Sequence, residues 1–197
     1  MQYQYTVLEE ESVYSGFFHV SRYAVDIEYY DGSRSGTLIR ECLGKKGRVV
    51  AALPYDLARK EFVLVEQFRI GAMAAGDHPW QKEVVAGFMD KAGESPETAM
   101  QRELAEEIGT TAQDLEFVYE YYGSPGGSAG RTLLYFARID VDETAAYTGL
   151  RAEGEDIRVV RLSFAEAYVL LQSGQADNST LLIALQAFVL KYSQYFM

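Results

Sequence analysis

The chain has 197 residues, 48% of them hydrophobic, enough for one sizeable core with an appendage. A formal net charge of −11 argues against nucleic acid or an anionic membrane as partner, and no apolar run approaches the roughly 20 residues needed to cross a bilayer. Cys42 is the only cysteine, which excludes an intramolecular disulfide and a cysteine-based zinc site. The segment 1–11 has neither the basic start nor the apolar core of a secretory signal, so a soluble, cytoplasmic protein is expected.

The first part of the chain reads as strands. Apolar and polar residues partly alternate from Phe18 to Tyr30, Asp31-Gly32 offers a turn, and Thr37 to Leu43 can return as a second strand. This suggests a small, aromatic-rich antiparallel sheet, thin for a core of its own. Lys45-Lys46-Gly47 marks a break, so the expected division is residues 1–46 and residues 47–197. Val49 to Leu53 and Phe62 to Gln67 look like buried strands separated by Pro54-Tyr55-Asp56. Gly71 to Pro79 reads as a small-residue loop, and Glu83 to Ala86 as a short strand ending at Gly87.

A helix is predicted from Pro96 to Ile108. Ser95 suits its N-cap, Pro96 its first turn and Gly109 its stop. Leu115 to Tyr122, Thr132 to Ile139 and Ile157 to Leu162 are further strands, with a polar loop from Asp142 to Gly154. Phe164 to Gln172 and Ser179 to Tyr192 are helices. Strands interrupted by helices make the class α+β or layered α/β.

The chemistry concentrates on the Pro96–Ile108 helix. At about 100° per residue, Glu103, Glu106 and Glu107 fall within about a third of its circumference, beside an apolar stripe of Met100, Leu104 and Ile108. Like charges at i,i+4 destabilise a helix, and a cation between them reverses that sign. Hard divalent ions take oxygen ligands, and Mg²⁺ typically combines a few carboxylates with substrate phosphate oxygens and water. Taken alone, such a run is usually a solvated acidic face.

Its surroundings change that reading. Gly87-Phe-Met-Asp-Lys-Ala-Gly-Glu94, seven further residues, and Arg102-Glu-Leu-Ala-Glu-Glu-Ile-Gly109 closely resemble the signature loop–helix–loop of the Nudix hydrolases. The resemblance implies a Nudix α/β/α sandwich, of class α+β, carrying the small N-terminal antiparallel sheet. It implies Glu103 and Glu107 as metal ligands, Glu106 beside them at the catalytic centre, the backbone carbonyl of Ala86 as a further ligand, and Glu94 and Arg102 as braces of the loop. Two positions depart from the family pattern. Six residues, where the family has five, separate Gly87 from Glu94, and Thr110 stands where the family usually has an apolar residue.

Resemblance extends over most of the chain to the ADP-ribose pyrophosphatase branch. Tyr14-Ser-Gly-Phe-Phe18 matches a segment whose aromatic contacts adenine, which implicates Phe17; by composition alone Phe17 could equally be a core side chain. Arg40 stands where that branch sets an arginine against the base, and Arg69, in Glu66-Gln67-Phe68-Arg69, where an arginine reaches the phosphates. Stacking on Phe17 and the planar fork of Arg69 suit those roles physically. Ser124-Pro125-Gly126-Gly127 also matches, although Ala129-Gly130 fall where relatives often carry a glutamate. In the acidic segment from Gly149 to Asp156, Glu153 aligns with the residue implicated as base and Glu155 with a further metal ligand.

The resemblance therefore implies hydrolysis of the diphosphate of ADP-ribose to AMP and ribose 5-phosphate. Mg²⁺ or Mn²⁺ would serve as cofactor, and Glu153 would take the proton of the attacking water. It also implies a homodimer, in which the N-terminal sheet reaches the partner's site. Two other readings stay open: a Nudix hydrolase of another nucleoside diphosphate conjugate (a nucleotide sugar or dinucleoside polyphosphate), and a module that binds ADP-ribose without cutting it.

Overall fold

The computed structural model describes residues 3–44 and 48–196, with Glu153 described by its backbone alone. The break at Lys45-Lys46-Gly47 lies outside the described residues. The chain divides into two compact units, one formed by residues 1–48 and 122–131, the other by residues 49–121 and 132–197.

In the first unit, β1 (Tyr5–Ser15), β2 (His19–Ile27) and β3 (Leu38–Leu43) form an antiparallel sheet in that order. The turn at Asp31-Gly32 is present. Gly32 takes φ 83°, its amide donates to the Tyr29 carbonyl, and Asp31 accepts from the Ser33 amide. The first strand is absent from the sequence-based expectation, for a local reason. The polar run Glu9-Glu10-Glu11-Ser12 interrupts the apolar alternation, and register shifts flank it, between Val7 and Glu9 and between Ser12 and Tyr14. All eleven residues of β1 are exposed. Segment 122–131 joins this unit through Leu43, whose amide donates to the Gly127 carbonyl and whose carbonyl accepts from the Ala129 amide.

The second unit is built on a larger sheet. Among the described residues it has eight strands: β4 (Arg48–Asp56), β5 (Glu61–Phe68), β6 (Trp80–Glu83), β7 (Val85–Phe88), β8 (Asp114–Tyr122), β9 (Arg131–Arg138), β10 (Tyr147–Thr148) and β11 (Ile157–Ser163). Its main path runs β10-β11-β5-β4-β9-β8, with β6 paired to β5 and β7 to β4.

Period-2 alternation sends successive residues to opposite faces, and both faces are covered. Val50, Ala52, Val63, Val65, Leu133 and Tyr135 pack with Ala99, Met100, Leu104 and Ile108 of α2 (Pro96–Ile108). Ala51, Leu53, Tyr55, Phe62, Leu64, Leu134 and Phe136 face α3 (Phe164–Gln172) and α4 (Ser179–Lys191). Phe188 sits at the centre of that second layer, in edge contact with Tyr55, Phe62, Phe136 and Phe164. Helix–sheet–helix layering follows directly from the sequence alternation.

Four expectations need correction. The one strand expected over Glu83 to Ala86 is two, β6 ending at Glu83 and β7 running through Gly87 to Phe88, and the polar loop expected from Asp142 to Gly154 carries the short strand β10. Pro54-Tyr55-Asp56 is not the separator between β4 and β5 but the end of β4, with Tyr55 pairing Phe62 and Asp56 pairing Glu61. Pro54 falls between the β7 pairing at Val49–Ala52 and this one, where a missing N–H breaks no ladder bond on that side. The reversal lies at 57–60 instead, with Lys60 at φ 56°. Residues Gly71 to Pro79 are not loop throughout, because α1 (Ile70–Ala75) forms there and ends on Gly76 at φ 87°. That helix is only six residues long, with no polar residue to set off one face from another, so no helical period shows in its sequence. No helix among the described residues is long and apolar enough to cross a membrane.

Candidate active site

Helix α2 begins as its sequence dictates. The Ser95 side chain accepts from the Thr98 amide, Pro96 occupies the first turn, and Gly109 closes the helix at φ 78°. With its apolar stripe fixed on the sheet, the adjoining face carries Glu103 and Glu107 inward. They are only 8% and 3% exposed, whereas Glu106 is half-buried.

The sheet makes room for these carboxylates. Gly87 on β7 pairs with Val50 and faces α2, and an added Cβ there would lie 2.0 Å from the Glu103 carboxylate carbon. One residue earlier, the Ala86 amide donates to Glu107 Oε2 at 3.1 Å. The end of β7 and the acidic face of α2 are thereby locked together, with Ala86, Glu103 and Glu107 gathered at one place.

Arg102 is the counter-charge. Its Nε and Nη2 donate to the two Glu94 oxygens at 3.2 and 3.3 Å, its Nη1 to Glu103 at 2.6 Å and Glu106 at 3.1 Å, and its Nη2 also to the Phe88 carbonyl at 3.2 Å. The hydrogen bond to Glu94 above all, with those to Glu103 and Glu106, holds the guanidinium firmly charged against the burial that opposes it. Residues Lys91 to Glu94 form a tight turn in which the Glu94 amide donates to the Lys91 carbonyl and Gly93 takes φ 78°. Glu94, its side chain 7% exposed, meets Arg102 from this turn.

Glu155 arrives from the other side. A staple joins its loop to the end of α2: the Ala145 amide donates to the Ile108 carbonyl and the Thr148 hydroxyl to the Glu107 carbonyl. Gly149, at φ 98°, lies so close to Glu155 that an added Cβ would sit 3.0 Å from the Glu155 Cβ. The Glu155 carboxylate accepts from the Leu150 amide at 3.2 Å. Glu153 ends a short 3₁₀ turn from Arg151 in this loop; its side chain lies outside the described residues.

These groups act on one another. Burial pushes the Glu107 carboxyl up to about 8, against the Ala86 hydrogen bond, and the charges of Glu103 and Glu155 push it further the same way. Burial also raises Glu103, although Arg102 opposes the rise. Arg69, at the end of β5, is close enough that its charge favours the ionised form of Glu107. It is itself held charged, against burial, by a hydrogen bond to Glu83 and by Glu107 and Glu155. One face of the second unit thus assembles Arg69, Ala86, Glu103, Glu106, Glu107 and Glu155.

Among the described residues no three acidic side chains already converge as a coordination sphere, since Arg102 draws Glu103 and Glu106 toward itself. The donor set still fits a hard divalent cation. It is all oxygen, it sits where a glycine leaves space for it, and it includes a buried carboxylate whose charge the protein leaves poorly compensated.

A family model described as the NUDIX domain matches residues 45–184. The chain belongs to the Nudix family. It is 35% identical over 180 residues to the ADP-ribose pyrophosphatase of Escherichia coli strain K12, covering 91% of this chain and 85% of that one. It is also 35% identical over 191 residues to the ADP-ribose pyrophosphatase of Haemophilus influenzae, covering 95% and 87%. A crystal structure titled as that of an ADP compounds hydrolase superposes with a TM-score of 0.74 over 98% of this chain and 96% of its own, at 22% identity, and so shares the fold.

Both departures from the Nudix pattern have a structural setting. The added residue before Glu94 lies in the stretch that contains the Lys91–Glu94 turn, ahead of α2, so the spacing of the helix carboxylates is unaffected. Thr110 is buried at 8% exposure and gives its hydroxyl to Glu143 at 3.1 Å, which lets a polar residue fill an apolar site.

Phe17 and Arg40 belong to the first unit. Phe17 is not a core side chain: it lies between β1 and β2, 88% exposed and in edge contact with Phe18. Arg40 is exposed on β3 and donates to the Ile39 carbonyl. Sequence reasoning does not single out Glu83, Thr148 or Gly149. Glu83 alone leaves a signal, as a charged residue in phase with Val85 and Gly87 on the α2-facing side of the sheet.

Proposed function

We propose that this Nudix hydrolase cuts the diphosphate bridge of ADP-ribose, with Mg²⁺ or Mn²⁺ as cofactor, to give AMP and ribose 5-phosphate. The observation that carries the proposal is the pairing of two buried helix carboxylates, Glu103 and Glu107, with Arg69 beside them. The names of the two relatives at 35% identity supply the substrate.

Glu103, Glu107, Glu155 and the Ala86 carbonyl would hold the cations, and Glu106 stands at the edge of the same face. Bound divalent ions neutralise the diphosphate and ease deprotonation of water. Arg69 offers its planar fork to a phosphate oxygen pair. Glu153 takes a proton from water as the water oxygen bonds to one phosphorus. The bridging P–O bond breaks, and the electron pair leaves with the second phosphate. Arg102 and Glu94 keep the α2 carboxylates in register and touch no reacting atom.

The first unit would supply the base contacts and the dimer interface, so that residues 1–46 serve recognition and residues 47–197 chemistry. Support comes from Phe17, which offers an open ring face, and from β1, which pairs with β2 on one side, has no strand on its other side among the described residues, and exposes Tyr5, Val7, Leu8, Val13 and Tyr14. A homodimer would cover that strand, and sedimentation at micromolar concentration should give twice the 22.1 kDa chain mass. A monomer of full activity would refute the dimer. The single cysteine and the acidic charge suit a cytoplasmic enzyme that does not bind nucleic acid.

The test is a panel of nucleoside diphosphate conjugates incubated with Mg²⁺ and resolved by product. ADP-ribose should give AMP and ribose 5-phosphate with the highest kcat/KM. Preference for a nucleotide sugar or dinucleoside polyphosphate would replace the substrate, and tight binding without products would make the chain a binding module.

A further inference from the structure

We infer that Glu83 is a positioning residue for the diphosphate: it clamps one edge of the Arg69 guanidinium so that the other edge stays available to phosphate. The inference rests on the reading of Arg69 as the phosphate-binding arginine. Glu83 ends β6 and pairs with Val65 of β5. Two-residue alternation puts Val63, Val65, Gln67 and Arg69 on the side facing α2, and Glu83 opposite Val65 on that same side. The arginine turns back over the β5–β6 ladder, its backbone fixed by the Arg69 amide donating to the Pro79 carbonyl. Its Nε and Nη2 both donate to a single Glu83 oxygen, at 2.9 and 2.5 Å.

That geometry uses the side-on edge of the guanidinium and leaves the end-on edge at Nη1 for a second acceptor. Arg69 and Glu83 line the same open recess of about 280 Å³, with Gln81, Asn178 and the acidic Asp77 and Asp177 among its walls. Glu83 is the less exposed partner, its side chain 20% exposed against 44% for Arg69, so it serves as the fixed member of the pair.

The need for such a clamp follows from the charges nearby. Glu107 and Glu155 both attract Arg69. A loose arginine among them would fold onto the carboxylates required for cation binding, removing a phosphate ligand and occupying metal ligands together. A carboxylate behind the guanidinium prevents both.

The test is a double-mutant cycle on the intact protein with Glu83→Gln, Arg69→Ala and the double variant. It measures kcat and KM for ADP-ribose, and the Kd of its non-hydrolysable methylene-bridged analogue, in Mg²⁺. Glu83→Gln keeps the volume and one acceptor, so folding should survive; a melting temperature close to that of the unaltered protein checks this. Arg69→Ala should raise KM and Kd on the order of 10-fold or more, as loss of a charge-assisted contact does. Glu83→Gln should raise both by a similar factor with kcat changed less than about 3-fold, and should add nothing in the Arg69→Ala background. An unchanged KM and Kd in Glu83→Gln, with Arg69→Ala impaired, would overturn the clamp and leave Arg69 in its role. A Glu83→Gln effect that persists at full size without Arg69 would also overturn it. If Arg69→Ala itself binds the analogue normally, the phosphate reading of Arg69 fails and the clamp falls with it.

Discussion

The Ala86 amide donates to Glu107 Oε2 at 3.1 Å, so that the strand before Gly87 and the acidic face of α2 meet at one buried carboxylate. The contact places the Ala86 backbone beside a helix carboxylate while leaving the carboxylate short of positive charge. A divalent ion would relieve the imbalance.

Glu107→Gln should therefore separate function from stability. The amide still accepts from the Ala86 N–H but neither carries charge nor binds a hard cation well. We expect kcat/KM to fall by roughly 10²-fold or more in Mg²⁺. Without metal, at pH 9, the variant should melt higher than the unaltered chain, by on the order of 3 °C, because a poorly compensated buried charge is gone. Steady-state kinetics and thermal melts in chelator check the two halves.

The same residue sets a pH dependence in the metal-free protein. Burial pushes its carboxyl up to about 8 in the folded chain, against about 4.5 for a solvent-exposed glutamate. The folded state thus binds the proton more tightly than the unfolded one, and its contribution to stability is fully present below about 4.5. Between there and about 8 that contribution is lost progressively as pH rises. The melting temperature in chelator should fall across this window, and Glu107→Gln should flatten the fall. Millimolar Mg²⁺ should flatten it too, by favouring the ionised carboxylate in the folded state.

Gly87→Ala tests the space that holds Glu103. The new methyl would land 2.0 Å from the Glu103 carboxylate carbon. Because the far end of a long side chain is the obstacle, the fold can yield at a cost of about 1–3 kcal/mol, while the carboxylate is displaced. Activity should drop by more than about 10-fold in a protein that still unfolds cooperatively, as denaturant titration alongside kinetics would report.

Arg102→Lys probes the brace. Lysine keeps the charge and loses the planar fork that reaches Glu94, Glu103, Glu106 and the Phe88 carbonyl together. A loss of about 2–4 kcal/mol is expected by urea denaturation, since part of a buried carboxylate cluster is left unpaired.

The sequence made α2 legible to the residue, because Ser95, Pro96 and Gly109 act locally and the apolar stripe does not depend on distant partners. The acidic face was readable for the same reason. The layered sheet was readable from strands such as Phe62–Val65, which alternate between two apolar faces. Strand β1 was not, because its polar centre is accommodated by bulges that only pairing with β2 defines. Glu83 was hidden by register: its meaning depends on standing opposite Val65 and within reach of Arg69, fourteen residues earlier in the chain. Thr148 and Gly149 were hidden likewise, since both matter through contacts with α2 and Glu155 made only after folding.

The central claim is that the inward carboxylates of α2 hold divalent cations for a diphosphate. Binding of Mn²⁺, followed by loss of its free-ion EPR signal in the presence of the methylene-bridged ADP-ribose analogue, addresses it most directly. The unaltered chain should bind Mn²⁺ tightly, and a folded Glu103→Gln/Glu107→Gln variant should leave the ion free at the same concentrations. Equal Mn²⁺ binding by the two proteins would contradict the claim.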